Sequence, residues 1–129
     1  MSYWFKNRKI NNENLIITPY EESRPWGSWK RYTANQLSTV KIIKVKPNEW
    51  LSLQTHEFRD EYWVVIKGDG WAEIGLQTKE ASVGDEFFIP REVQHRLSAG
   101  ENGIEILEIA LGNYDESDGR RIRDKYARS

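Results

Sequence analysis

Residues 54–74 read QTHEFRDEYWVVIKGDGWAEI, and this stretch decides how the chain is read. EYWVVIK is a short run of apolar, β-branched and aromatic residues, and a second such run, WAEIGLQ, begins at Trp71. Both have the composition of strands. The Gly68-Asp69-Gly70 triplet between them predicts a hairpin. Ahead of the first run, Gln54 and His56 stand two residues apart, so on a strand both side chains share one face. Glu61 follows, after an expected tight turn through Phe58, Arg59 and Asp60. If the flanking segments pair, Glu61 can face the same way as His56.

Outward from this stretch the pattern stays β. Upstream, TVKIIKV (39–45) is rich in β-branched residues and stops at Pro47-Asn48, after which WLSLQTH alternates. RPWGSWKRYTA reads as a turn feeding a strand. Downstream, TKEASVGDE is expected to hold a turn, EFFIP a short strand closed by Pro90, and QHRLSAG another. GIEILEIALG is a long final strand after the turn expected at Gly100–Gly103. Short strands at roughly ten-residue spacing, with turn residues between them, predict a sandwich or barrel and argue against alternating helix and strand.

The chain ends differ from this centre. Residues 1–23 are polar and Asn-rich and read as an N-terminal arm with one short strand at LIIT. Residues 24–112 form the expected barrel. Residues 113–129 form a charged tail, either solvated or packed on the barrel through Tyr114, Ile122 and Tyr126, with room for a short helix from about Asp118. Tyr3, Trp4 and Phe5 in the arm would suit packing across a homodimer. One domain is the simplest reading of 129 residues that include six Trp and six Tyr.

Charge and composition set further expectations. Nineteen basic against twenty acidic residues give a net charge of −1, which offers no general attraction to nucleic acid or to a membrane surface. The absence of cysteine excludes disulfides and thiolate metal sites. The N-terminus lacks a signal-peptide apolar run, and no stretch has the length of a membrane span, so a soluble cytoplasmic protein is expected.

The chain has two histidines, His56 and His95, far apart in sequence and each in a strand-like segment. Folded together with Gln54 and Glu61, they would offer nitrogen and oxygen donors to one divalent ion. Zinc suits such a set first, and manganese, iron, cobalt or nickel also suit it. Three or four protein donors leave a coordination position for water or substrate. A lone strand histidine is more often simply hydrogen-bonded in a core or at a surface, so spacing alone leaves that alternative open.

At these residues the sequence resembles the cupin domain of type II phosphomannose isomerases. The first motif of that family runs Gln-x-His-x-x-Arg-x-Glu-His-Trp, then an apolar strand and a glycine. It is matched by Gln54, His56, Arg59, Glu61, Trp63 and Gly68, with Tyr62 where the family usually has His. GDEFFIPREVQHR is similar to the second motif through Gly84, Asp85, Ile89, Pro90, His95 and Arg96. RPWGSWKRY, VKIIKVKPNEWLSLQ and the tail GNYDESDGRRIRDKYAR resemble flanking signatures. Asn48 stands where Gly is usual, and Ser117, Arg123 and Ala127 depart from the tail pattern.

The resemblance implies an all-β cupin fold, a double-stranded β-helix or jelly-roll barrel. It implies Gln54, His56, Glu61 and His95 as metal ligands, and a sugar phosphate as the small-molecule partner. The activity implied is interconversion of mannose 6-phosphate and fructose 6-phosphate, in which a proton or hydride moves between C1 and C2. Such chemistry uses a metal to polarise the carbonyl, a general base, and cationic partners for the phosphate. Arg59 is the first candidate beside the ligands, for phosphate binding or charge stabilisation, although a surface arginine on a turn is an equal reading. Lys41 and Arg96 follow, and Arg24 either holds its turn or reaches the site. Glu108 and Glu73 are both candidates for the base, since which of them points inward depends on register. Tyr62 should affect packing more than metal binding. Trp26, Trp29, Trp63 and Trp71 are expected to be packing residues, with sugar stacking as an alternative for one of them. A non-catalytic sugar-binding cupin and another metal-dependent cupin enzyme are the competing functions. No nucleotide-binding glycine-rich loop is present, so guanylyl transfer is not expected of this chain.

Overall fold

Strand-forming composition gives almost unbroken β structure in the computed structural model, which describes residues 19–123. The described strands are β1 (Tyr20–Arg24), β2 (Gly27–Arg31), β3 (Ser38–Val45), β4 (Leu53–His56), β5 (Arg59–Ile74), β6 (Gln77–Ser82), β7 (Glu86–Ile89), β8 (His95–Gly112) and β9 (Gly119–Arg123). Residues 1–18 of the N-terminal arm, which include the strand expected at LIIT and the aromatic cluster, and Tyr126 in the tail lie outside the described residues.

β5 and β8 organise the fold. Each is long, and they run antiparallel from Arg59↔Gly112 to Ile74↔His95. Their first shared half lies between β3, which pairs with β8, and β7, which pairs with β5. Their second half lies between β6 on the β5 side and β4 on the β8 side, with β9 beyond β4. Two sheets thus share two strands, and these strands bend where one sheet becomes the other. The inner faces of both halves meet in one core containing Trp63, Val65, Phe87, Ile104 and Ile106 from one half and Ala72, Ile74, Ala81, Leu97 and Ala99 from the other. This is the cupin jelly roll, all-β as expected.

The bend corrects two expected turns. Gly68-Asp69-Gly70 is not a hairpin. It lies inside β5, facing the bulge Gly100–Gly103 inside β8, with Gly68 opposite Ile104 and Gly70 opposite Ala99. The hairpin is seven residues later, at Gly75, whose φ of +60° suits a turn glycine. TKEASVGDE accordingly contributes strand β6, and its turn comes only after Ser82. Extra residues in a ladder bend a strand and sharpen its twist, and that is how a continuous strand turns a sheet corner.

Two other boundaries also move. The β1–β2 hairpin straddles residue 24, joining the end of the expected arm to the start of the expected barrel. Over its described part the tail is not α-helical, and Asn113, Asp115 and Ser117 are exposed while Tyr114 and Asp118 are half-buried. A single 3-10 turn at Glu116–Asp118 leads into β9, which pairs with β4 from Leu53↔Arg123 to His56↔Gly119. Ile122 lies in that strand.

A second, smaller cluster covers part of the outer face. Tyr62, Phe88, Ile109 and Leu111 pack there with Tyr32 and Val64. Tyr62 donates to the buried Glu86 carboxylate at 2.8 Å, Tyr32 donates to its other oxygen at 2.6 Å, and Lys30 pairs with it as well. The residue that departs from the family motif therefore serves packing on the face opposite the metal candidates, as expected.

Candidate metal centre

Strand alternation and the sheet corner bring the polar candidates to one cavity. It is lined by Lys41, Ser52, Gln54, His56, Arg59, Glu61, His95 and Glu108 above a floor of Ile43, Leu51, Trp63 and Leu97, with Gly119 at its edge. β4 supplies Gln54 and His56, the first residues of β5 supply Arg59 and Glu61, and His95 begins β8. Lys41 on β3 and Glu108 on β8 face each other across the ladder, with Trp63 next in the row.

Glu61 is the centre of this group and is only 1% exposed. Its carboxylate accepts from Arg59 Nε at 3.0 Å and from the Trp63 indole N–H at 3.2 Å. His56 Nδ1 lies 3.3 Å from one of its oxygens, and His95 Nε2 lies 3.6 Å from the other. The candidate donor atoms of His56, Glu61 and His95 all lie within 4.8 Å of one another.

These residues fit a divalent ion. His95 Nδ1 is 3.0 Å from the Val93 carbonyl, which can only accept, so Nδ1 carries the proton and the Nε2 lone pair points inward. His56 Nδ1 is buried, faces Glu61 and has no hydrogen-bond partner of good geometry. A buried polar atom left this way costs free energy. Arg59 Nη2 approaches His56 Nε2 at 2.9 Å, and a guanidinium can only donate. Nε2 therefore accepts, and the neutral ring keeps its proton on Nδ1. Coordination through either nitrogen thus requires Arg59 to release the ring. Gln54 lines the same cavity, and its amide oxygen lies 3.1 Å from where a Cβ on Gly119 would sit. A Cβ there would make the Gln54 amide give by a few tenths of an ångström, so glycine leaves that side chain undisturbed.

Burial sets the protonation states. Desolvation pushes His56 down to about 4, overriding the pull of Glu61, so the imidazole is neutral at pH 7, as a metal ligand must be. Burial pushes the Glu61 carboxyl up, but His95, His56 and the Arg59 guanidinium outweigh it and hold the group below its usual range. Glu108 goes the other way. Desolvation, reinforced by the neighbouring Glu61, raises it to about 8 despite Lys41 at 3.7 Å.

Glu108 gives a measurable pH dependence. Its folded pKa lies above the unfolded value, so the folded state binds the extra proton. Below about pH 4.5 the group is protonated in both states and contributes nothing. As pH rises toward 8 the unfolded state ionises first, and stability falls. Glu108→Gln removes this slope. In chelator-treated protein the variant should gain stability over the parent between pH 5 and pH 8.5, by roughly 2 kcal/mol, as read from urea midpoints. A constant difference across that range would show that Glu108 ionises normally.

The structure also sorts the remaining candidates. Arg59, expected on a turn, begins β5 and is buried. Lys41 points inward because Val40 and Ile42, its neighbours on β3, are the exposed ones. Glu73 is excluded as the base. It faces Arg96 across the ladder and pairs with its Nη2 at 2.9 Å, away from the inner face. Arg96 borders the cavity, but that same pair engages its guanidinium. Arg24 is not brought to the cavity. It lies on the β1–β2 hairpin, exposed, and pairs with Glu22.

Three contributors were not singled out for the site from sequence. Trp63, expected to pack or, as an alternative for one of the tryptophans, to stack on a sugar, donates to Glu61. Asp118 accepts from the backbone N–H groups of Glu57 and Phe58 at 2.9 and 3.1 Å, which pins the β4–β5 turn carrying the ligands. Gly119 leaves the Gln54 side chain undisturbed, as described above. Only the spacing of the tail hinted at Asp118 and Gly119, because their roles depend on the tail packing beside β4, whereas Trp63 stands two residues from Glu61 on β5.

Comparison with known proteins gives the same fold and adds the family. The structure is similar to Bacillus subtilis oxalate decarboxylase, with a TM-score of 0.63 at 20% identity over 67% of this chain and 24% of that one. It is also similar to an 11S globulin from Wrightia tinctoria, with a TM-score of 0.61 at 16% identity, over 67% and 23% of the two chains. In sequence it is 34% identical over 123 residues to a mannose-1-phosphate guanylyltransferase of Salmonella montevideo, covering 94% of this chain and 26% of that protein. It is 36% identical over 111 residues to the alginate biosynthesis protein AlgA of Pseudomonas aeruginosa, covering 84% and 23%. The chain thus spans about a quarter of the length of these curated relatives. The sequence model of the family described as "Mannose-6-phosphate isomerase C-terminal" matches residues 11–124. With nearly the whole chain matched, the protein belongs to the mannose-6-phosphate isomerase C-terminal family of cupin domains.

Proposed function

We propose that this chain is a metal-dependent aldose–ketose isomerase that interconverts mannose 6-phosphate and fructose 6-phosphate. One observation carries the reading: in a member of this family, a single cavity holds the His56–Glu61–His95 group together with a buried acid, Glu108, and an inward lysine, Lys41. Bound there by His56, Glu61, His95 and Gln54, a divalent ion, zinc first among the candidates, supplies Lewis acidity for a sugar carbonyl.

The protein's own groups account for the remaining requirements. Isomerisation moves a proton between adjacent carbons, so it needs a group that takes and returns protons near neutral pH. A carboxyl raised to about 8 meets that need. Lys41, more than a third exposed, stands at the open side of the cavity as a cation for the phosphate. Arg59 keeps Glu61 ionised and oriented. Guanylyl transfer is outside this reading. Among the described residues, no helix longer than Glu116–Asp118 offers an N-terminus to a nucleotide's phosphates.

The test is a coupled assay of mannose 6-phosphate conversion on chelated protein reloaded with zinc, manganese, iron, cobalt or nickel in turn. Turnover with at least one metal is expected. Glu108→Gln should retain the metal while kcat drops about 10²- to 10⁴-fold. No turnover with any of the five metals overturns the assignment, and binding of the sugar phosphate without turnover would favour a non-catalytic module.

A further inference from the structure

We propose that Tyr114 is a positioning residue that gives the cavity its preference for a phosphorylated over an unphosphorylated sugar. This rests on the isomerase reading above and extends it to the C-terminal segment.

The segment is held at both ends. At its start, Gly112 has a φ of +114°, and a Cβ there would meet the Phe58 carbonyl oxygen and Arg91 Nη2 at 3.0 Å each. The chain therefore turns closely over the corner where β5 begins, in a conformation that favours glycine. At its far end, the Asp118 carboxylate takes the backbone N–H groups of Glu57 and Phe58. Asp115 stabilises the approach by accepting from Ser117 N at 2.9 Å. Between these anchors the chain crosses beside the cavity, and Tyr114 faces its two cations.

The tyrosine meets both cations, Lys41 through its hydroxyl and also 5.3 Å from its ring centroid, and Arg59 through its ring. Lys41 Nζ donates to the hydroxyl at 3.0 Å. The Arg59 guanidinium lies over the ring, 4.5 Å from its centroid. Lys41 is a long side chain with several rotatable bonds, and an unrestrained ammonium at a cavity mouth loses entropy on binding an anion. The hydroxyl holds it in advance. The ring does the same for Arg59, which stays against Glu61 and does not swing outward. The dianion thus meets a lysine already placed by a segment outside the barrel's shared strands. The hydroxyls of an unphosphorylated sugar gain little from that lysine.

Tyr114→Phe keeps the ring and removes the hydroxyl. Calorimetric titration of the full-length, zinc-loaded protein with fructose 6-phosphate, and separately with fructose, tests the proposal. Fructose 6-phosphate affinity should fall about tenfold in Tyr114→Phe, the scale of one charge-assisted hydrogen bond. Fructose affinity and the metal content should not change. Tyr114→Ala should weaken fructose 6-phosphate further, because Arg59 is released as well.

Affinity within twofold of the parent in Tyr114→Phe overturns the proposal and leaves the isomerase reading standing. Equal losses for fructose and fructose 6-phosphate, or loss of zinc from Tyr114→Phe, also overturn it by showing a merely structural role. If the parent protein binds no phosphorylated sugar, the isomerase reading fails and this proposal fails with it.

Discussion

Glu61→Ala is expected to abolish metal binding and to cost the metal-free protein roughly 3–5 kcal/mol of stability. The cost does not come from a strong ion pair. It comes from what remains: Arg59, itself only 6% exposed, would keep its charge with no carboxylate beside it. A charge buried unpaired is far more costly than the same charge buried with its partner. Trp63 would lose its acceptor at the same time. Glu61→Gln separates the two effects. The amide keeps the shape, and its one oxygen can still accept from Arg59 or from Trp63, so the stability loss should be smaller. It removes the one anionic donor of the metal group, and zinc affinity should fall at least about 100-fold, beyond the usual effect of changing a group that only orients a ligand. Denaturant unfolding of chelated protein and calorimetric zinc titration give the two readings. Zinc affinity in Glu61→Gln within tenfold of the parent would rule out Glu61 as a ligand.

The second large effect is expected at Gly70. A Cβ there would lie 2.0 Å from the Ser98 carbonyl oxygen, and one at Gly68 would lie 2.1 Å from that of Gly103. Both obstacles are backbone atoms of β8, so no side-chain rotation relieves them. β5 and β8 would have to separate at the corner that joins the two sheets. Gly70→Ala should destabilise by about 3 kcal/mol or more, the upper range for overpacking. Gly84→Ala is the comparison: its added Cβ meets nothing within 4 Å, and only its φ of +94° is strained. That substitution should cost about 1 kcal/mol. Urea midpoints of the two variants decide the matter, and a Gly70→Ala midpoint equal to the parent's would mean that the strands are not so close there.

Much of the site could be read from the chain before folding. The shared face of Gln54 and His56 follows from period-2 geometry, and the family resemblance implied that Glu61 and His95 join them. Local spacing sufficed for Gln54 and His56 because both lie in β4. Arg24 did not follow. Its match to a family motif carried no information about distance, and it sits on a hairpin pairing with Glu22. Asp118 and Gly119 were not legible as site residues because each acts through a segment far away in sequence, whereas Trp63 stands only two residues from Glu61, on the same face of β5.

From the sequence alone came strand-rich composition, the absence of sulfur ligands, the nitrogen and oxygen donors with their local spacing, and the resemblance that named the family. It could not decide which acid enters the cavity. Glu73 is an even number of residues from Glu61 and Glu108 an odd number from His95, so uninterrupted alternation would turn Glu73 inward and Glu108 outward. The structure does the reverse. On β5 the inner residues are Glu61, Trp63 and Val65 before the corner, and Ala72 and Ile74 after it. On β8 they are His95, Leu97 and Ala99, then Ile104, Ile106 and Glu108. One extra residue between Val65 and Lys67 shifts the alternation on β5, and the bulge Gly100–Gly103 opposite Gly68–Gly70 shifts it on β8. In sequence those glycines look like turns, because a turn and a corner both call for a residue without a Cβ. Only the pairing of β5 with β8 distinguishes them, and that pairing puts Glu108 beside Glu61.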